Sequence, residues 1–281
     1  MIPEIDFYSY LRDLIEQIPE GKMSTSKRLA IALGDQIAAS AVSSALQRDD
    51  FHEARRKVNA EEAEGISYFS DFRSDKPLRR LAELQRDLAQ RVVSEDAYTE
   101  SGRVAGVDVA YHGDEAFAAC VVMDRALNVF EECTAVVEIR FPYVPGYLMF
   151  REAPAIKVVA EMASDLDVLL VNGHGVAHPR GCGLASCVGL EMDIPTIGVA
   201  RRRLVGNVGE RRSGWAPLIY EDEVVGAEVE AGGSKVYVSV GHRMSLETSI
   251  EVVRRMTSDG RLPEPLRKAH IMANSILKRR P

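Results

Sequence analysis

Apolar positions recur at helical spacing in the first quarter of the chain, at strand spacing through its middle, and at helical spacing again near its end. Phe7, Tyr10, Leu11, Leu14 and Ile18 share one helical face and predict a helix over 7–17, stopped by Pro19-Glu20-Gly21. Ser24 or Thr25 is placed to cap a second helix that carries Leu29, Ala30 and Leu33 to Gly34. A third, over 38–46, is made almost wholly of small residues, Ala38 to Ala45. That smooth surface suits tight core packing or approach to a nucleic-acid groove. The stretch 59–75 is acidic and rich in small residues, and reads as an inter-domain linker or wing. From Pro77 a long helix aligns Leu78, Leu81, Leu84, Leu88, Val92 and Val93.

Beyond Arg103 the period changes. Strands are predicted over 104–111, 116–123 and 129–139, and the short connections between them imply an antiparallel meander. The prolines and glycine of Phe141-Pro142-Tyr143-Val144-Pro145-Gly146-Tyr147 form a rigid, aromatic-tipped loop, followed by a helix over 153–162. The apolar run Val168-Leu169-Leu170-Val171 is a buried strand that stops at Asn172-Gly173-His174-Gly175. A Gly/Ala-rich helix (182–192), a strand (195–200), a hairpin (224–229 with 235–240) and helices over 246–256 and 266–277 complete the pattern. A meander followed by alternating helices and parallel strands predicts an α/β chain with an RNase H-like mixed sheet flanked by helices.

Composition narrows the class. With 46% hydrophobic and 27% charged residues in 281, the chain has the make-up of a globular protein with a substantial core. No stretch approaches a membrane span, and the start of the chain reads as an amphipathic helix rather than a signal peptide, so a cytoplasmic protein is expected. The four cysteines, Cys120, Cys133, Cys182 and Cys187, lack metal-site spacing. They are expected to be reduced thiols, buried except for Cys182. A net charge of −7 disfavours general coating of DNA, leaving phosphate contacts to local patches such as Arg201-Arg202-Arg203, Arg211-Arg212, Arg55-Arg56-Lys57 and Lys278-Arg279-Arg280. The last reads as a basic tail.

One carboxylate stands out. Asp108 interrupts an otherwise apolar strand, where an unpartnered carboxylate costs several kcal/mol, so a partner or a cation is expected. Glu152, Asn172, His174 and His242 are further polar groups at the ends of elements. Oxygen ligands converging on a hard divalent cation are what phosphodiester hydrolysis uses. Each also has a plain alternative: Glu152 as a charge at a helix N-terminus, His242 as a satisfied surface histidine.

Two resemblances organise these residues. IPEGKMSTSKRLAIALGDQIAASAVSSAL resembles the winged-helix DNA-binding domain of O6-alkylguanine-DNA alkyltransferases, implying a small helical domain over 1–75. The helix that this family lays in the minor groove falls here on Ser40 and Ser43, with Ser40 replacing an arginine. The reactive-cysteine string falls near Glu53-Ala54-Arg55-Arg56, so Ala54 replaces the nucleophile and alkyl transfer is excluded. The segment is therefore more similar to the alkyltransferase-like proteins, with Arg55 and Arg56 as further DNA contacts.

GVDVAY, FPYVPGYLMFRE, VLLVNGHGVAHPRGCGLAS, DIPTIGVAR, VSVGHRMSLETS and RLPEPLRKAH, in that order, resemble endonuclease V, covering a domain over 76–281. The resemblance implies Mg²⁺- or Mn²⁺-dependent cleavage of DNA near deoxyinosine or other deaminated bases, one nucleotide to the 3′ side. Some members prefer inosine in RNA. It places Asp108, Glu152 and Asn172 at the metal, His242, Arg201 and Asp167 with them in catalysis, and Tyr143 as the wedge filling the space of a flipped base. Pro142, Gly146, Leu148, Gly173, His178, Arg180 and Leu204 fall at substrate-binding positions. Asn172 stands where the family has aspartate, and Arg201 where bacterial members have lysine. An amide brings no charge to the cation, so the same resemblance leaves a second expectation, a weakened or inactive inosine-binding protein.

Overall fold

The computed structural model describes residues 3, 5–97, 102–164, 166–258 and 260–278, so the expected basic tail at Arg279-Arg280 lies outside it. The chain divides into two compact units, Pro3–Leu84 with Arg140–Arg151, and Gln85–Ile139 with Glu152–Pro281.

In the first unit Asp6 caps α1 (Phe7–Glu16) by accepting from Ser9 N at 2.9 Å, and Phe7, Leu11, Leu14 and Ile15 turn inward. A two-residue strand, β1 (Ser24–Thr25), runs into α2 (Ser26–Leu33), whose N-cap is Thr25. Gly34 ends α2 at φ +107°, where an added Cβ would meet Arg79 N at 2.8 Å, so both conformation and space require glycine. The small-residue helix α3 (Ala39–Ala45) is shorter than its pattern predicts. It buries Ala41, Val42 and Ala45 and exposes Ser40 and Ser44, with Ser43 half-buried.

β1 pairs in parallel with β2 (Val58–Asn59). The acidic stretch beyond β2 is folded onto this unit. Tyr68 Oη accepts from Asn59 Nδ2 and Ala63 N at 2.9 Å, Phe69 N donates to Met23 O at 2.7 Å, and Arg28 pairs with Glu62. α4 (Pro77–Ala89) then leads into the second unit, ending before Val92 and Val93.

The second unit holds a nine-stranded sheet in the order β5-β4-β3-β6-β7-β11-β10-β9-β8. β3 (Val104–His112), β4 (Glu115–Met123) and β5 (Val129–Glu138) form the antiparallel meander. α5 (Leu148–Glu161) follows the aromatic loop, and β6 (Val168–Asn172) pairs in parallel with β3. α6 (Leu184–Met192) leads to β7 (Thr196–Ala200), parallel to β6. β8 (Asn207–Val208), β9 (Trp215–Tyr220), β10 (Glu223–Ala231) and β11 (Ser234–His242) extend the sheet antiparallel. α7 (Leu246–Arg255) and α8 (Glu264–Lys278) finish the pattern.

Differences from the sequence pattern have local causes. β9 contains Pro217, which lacks a backbone donor and masks the strand. α5 begins at Leu148, before the expected start, and continues through the exposed Pro154, so Glu152 lies inside the helix and not at its entrance. All four cysteines are buried, Cys182 included, and burial pushes the Cys120 and Cys182 thiols up to about 12. Such thiols stay protonated and unreactive.

Alternation along β3 sends Val104, Gly106, Asp108 and Ala110 to one face. Val104 and Ala110 join the core that Ile250, Val253, Leu266, Ala269 and Ala273 supply from α7 and α8. An added Cβ on Gly106 would lie 2.3 Å from Pro265 C and 2.4 Å from Leu266 N. The missing side chain lets the start of α8 rest directly on β3. One helical turn further along α8 is His270, and two residues further along β3 is Asp108. Among the described residues no helix is long and apolar enough to cross a membrane.

Candidate active site

At the carboxyl ends of the parallel strands β3 and β6, where α/β sheets present their sites, a cleft of about 360 Å³ opens. Asp108, Tyr111, Glu152, Asn172, His270 and Asn274 are among the residues that line it. Asp108 is 8% exposed and both of its oxygens are engaged. Oδ1 accepts from Asn172 Nδ2 at 2.8 Å, and Oδ2 lies 2.6 Å from His270 Nδ1. Asn274 Nδ2 donates to His270 O at 2.8 Å, fixing the helical turn that carries the imidazole. The buried carboxylate therefore has the partners its desolvation demands.

The expected centre thus comes together in part. Asp108, Glu152 and Asn172 share the cleft. His270, which ends the RLPEPLRKAH motif, and Asn274 join them, although neither is among the expected site residues.

Other expected catalytic residues lie elsewhere. His242 is 4% exposed and accepts from Val93 N at 3.2 Å, with Asp193 at 3.7 Å from its second ring nitrogen. Burial, reinforced by the Arg243 charge, holds its pKa below the usual histidine value. His242 does not line the cleft. Asp167 occupies the opposite end of β6, where Oδ2 accepts from Arg103 N at 2.7 Å and splices the starts of β3 and β6. Strand rise over β6 puts it roughly 16 Å from the Asn172 end. Arg201 is exposed beyond β7, outside the cleft lining.

The glycine-rich exit of β6 serves backbone packing. An added Cβ on Gly175 would lie 1.8 Å from Val240 O, one on Gly198 would lie 2.5 Å from Gly175 N, and Gly175 N donates to Ser239 Oγ at 2.8 Å. Gly173 N donates to Val199 O at 3.0 Å. His174 is held below the usual histidine pKa by burial, against a hydrogen bond with the Arg202 backbone.

The HPR turn is anchored to α4. His178 Nδ1 accepts from Arg180 N at 3.1 Å, Arg180 Nε donates to Gln85 Oε1 at 2.8 Å, and the fully buried Gln85 donates to Cys182 O at 3.0 Å. In the first unit Pro142 is buried, Tyr143 is 63% exposed, Gly146 has φ +77° and Leu148 opens α5. Leu204, in the second unit, is 47% exposed. Arg55 and Arg56 are exposed on a short 3₁₀ turn that also holds Ala54.

Among the described residues no three His, Cys, Asp or Glu side chains stand close enough to hold a metal ion. In donor chemistry the cleft still fits a hard cation, through two carboxylates and, if the amide presents its oxygen, Asn172. It is one charge poorer than a three-carboxylate centre.

The family model of endonuclease V matches residues 86–271. Endonuclease V of Thermofilum pendens is 46% identical over 207 residues, covering 72% of this chain and 89% of that protein. The bifunctional methyltransferase/endonuclease of Picrophilus torridus is 34% identical and covers 95% of both chains, so the match extends through the first unit. Endonuclease V of Ciona intestinalis, solved with a 24mer DNA containing an inosine followed by a ribo-adenosine, superposes with a TM-score of 0.66. It is 25% identical, covering 73% of this chain and 99% of that one.

The fold is RNase H-like and the chain is a nuclease enzyme. It belongs to the endonuclease V family.

Proposed function

We propose that this protein is a DNA-repair endonuclease that recognises deoxyinosine and hydrolyses a phosphodiester bond on its 3′ side. The observation that carries the reading is the meeting of Asp108, Glu152, Asn172 and His270 in one cleft at the strand ends. The Ciona relative bound to inosine-containing DNA supports the substrate class.

Asp108, Glu152 and the Asn172 side-chain oxygen are the groups to hold Mg²⁺ or Mn²⁺. When bound, the cation supplies an activated water and neutralises charge at the leaving oxygen. His270 orients Asp108 through Nδ1, and its side chain, 45% exposed, offers the other ring nitrogen for proton transfer with water or phosphate. Tyr143, exposed at the tip of its proline-framed loop, fills the gap left by the extruded base.

The first unit is proposed as an alkyltransferase-like winged-helix DNA-binding domain. Ser40 on α3, and Arg55 and Arg56 beside Ala54, face solvent where they can meet phosphates. Without a nucleophile at Ala54 it binds DNA and transfers no alkyl group.

One observation favours a second reading. The Asn172–Asp108 hydrogen bond satisfies the central carboxylate with no cation, as a site that binds inosine without cutting would require. Incision of a labelled single-inosine duplex with Mg²⁺ or Mn²⁺, beside metal-free binding of that duplex, separates the two. Metal-dependent cutting supports the nuclease; selective binding without cutting supports the binder, and restoration of cutting by Asn172→Asp identifies the cause. Deoxyinosine and inosine strands compared in the same assay decide DNA against RNA.

A further inference from the structure

The loop that carries Tyr143 belongs to the N-terminal unit, not to the unit that carries Asp108. Its attachment is specific. Tyr147, at the base of the loop, is completely buried, and its Oη donates to Asp35 Oδ2 at 2.7 Å. Asp35 stands just after the glycine that ends α2, and its other oxygen accepts from Ile37 N at 3.1 Å, so one carboxylate fixes both the α2–α3 turn and the loop. On the far side Phe7 N donates to Arg140 O at 3.0 Å, and the Phe7 and Phe141 rings meet edge to face with centroids 5.7 Å apart. Arg151 Nη1 closes the loop by donating to Phe141 O at 2.6 Å. Tyr143 stands exposed between these clamped ends.

We infer that the N-terminal unit is the scaffold that sets the pose of Tyr143, with Tyr147 and Asp35 as positioning residues for base discrimination. The inference rests on the proposed role of Tyr143 as the wedge. A side chain that enters a duplex gives up its freedom on binding unless its loop is already ordered, so order built in beforehand appears as affinity for the extruded state. A buried phenol donating to a carboxylate is among the stronger single ties available to such a loop. The unit thereby affects lesion reading through the loop it carries, apart from any contact of its own with DNA.

The test uses the full chain without metal, measuring binding of a single-inosine duplex against the same duplex without inosine. The fluorescence of a 2-aminopurine beside the inosine reports unstacking. Tyr147→Phe removes only the hydroxyl and Asp35→Ala removes the acceptor. Each is expected to lower inosine discrimination by up to about tenfold and to blunt the 2-aminopurine rise, and the double variant is expected to match either single one. Asp35→Asn, which keeps an oxygen, is expected to recover part of the loss. A uniform loss of binding to both duplexes, with discrimination unchanged, would overturn the inference. So would wild-type discrimination in Tyr147→Phe and Asp35→Ala while Tyr143→Ala loses it. If Tyr143→Ala also keeps full discrimination, the wedge reading itself fails.

Discussion

Asn172→Asp replaces a donor with a charge beside Asp108. Asn172 Nδ2 lies 2.8 Å from Asp108 Oδ1, so the new carboxylate oxygen would face another across the same gap. Two unit charges about 4 Å apart at an effective dielectric of 20 repel by about 4 kcal/mol, and the lost hydrogen bond adds about 1–2 kcal/mol. Side-chain rotation and access to water reduce this to roughly 2 kcal/mol, which for a domain of this size lowers melting by about 4–8 °C. A divalent cation reverses the sign, because the repelling pair becomes a chelating one. Cation at a hundredfold excess over its dissociation constant returns about 2.7 kcal/mol. Thermal melting in chelator and in Mg²⁺ or Mn²⁺ should therefore show the variant below the parent without metal and gaining more from it, with faster single-turnover incision of an inosine duplex. A variant that melts at or above the parent in chelator would refute the reasoning, since Asn172 would then not be relieving Asp108.

Gly106→Ala should lower stability by about 2–3 kcal/mol and weaken incision, because the new methyl would overlap the Pro265–Leu266 backbone and lift α8 from β3; chemical denaturation and single-turnover cleavage check it. Glu264, buried at the start of α8, has its pKa held down mainly by hydrogen bonding from Arg267, with Ser258 adding to it against burial. A depressed carboxylate contributes stability that is full above its unfolded pKa and is lost as pH falls through the folded one. Glu264→Gln should accordingly lower stability at neutral pH and narrow the gap from the parent in acid, as denaturation at pH 7 and near pH 3 would reveal. Incubation with an O6-methylguanine oligonucleotide should leave the methyl group on the DNA, since Ala54 offers no thiol; mass spectrometry showing a methylated protein would contradict this.

Features with local determinants are legible in the sequence, and those set by distant contacts are not. The meander, the parallel strands and the hairpin declared themselves through alternation and apolar runs, and Asp108 through being a charge in such a run. Glu152 is legible as a polar group near an element end, but it lies inside α5, which starts at Leu148 and runs through Pro154 rather than beginning at 153. His242 and His270 both lie in late motifs, and nothing local says which of them reaches the cleft. What separates them is Gly106, whose bare backbone admits α8 and aims His270 at Asp108. The glycines after Asn172 mark a strand end in the sequence, but the neighbours that require them, the Val240 carbonyl on β11 at Gly175 and the Leu184 side chain at Gly173, are contacts with no sequence signature.

The docking of α8 on β3 also orders events in time. Asp108 and His270 are separated by 162 residues, and Asn172 joins Asp108 across 64. During synthesis β3 and β6 can pair long before α8 is made, leaving Asp108 with its amide partner and no imidazole. The acid–histidine pair cannot form until α8 arrives, so a partly synthesised chain can pair β3 with β6 without completing the cleft.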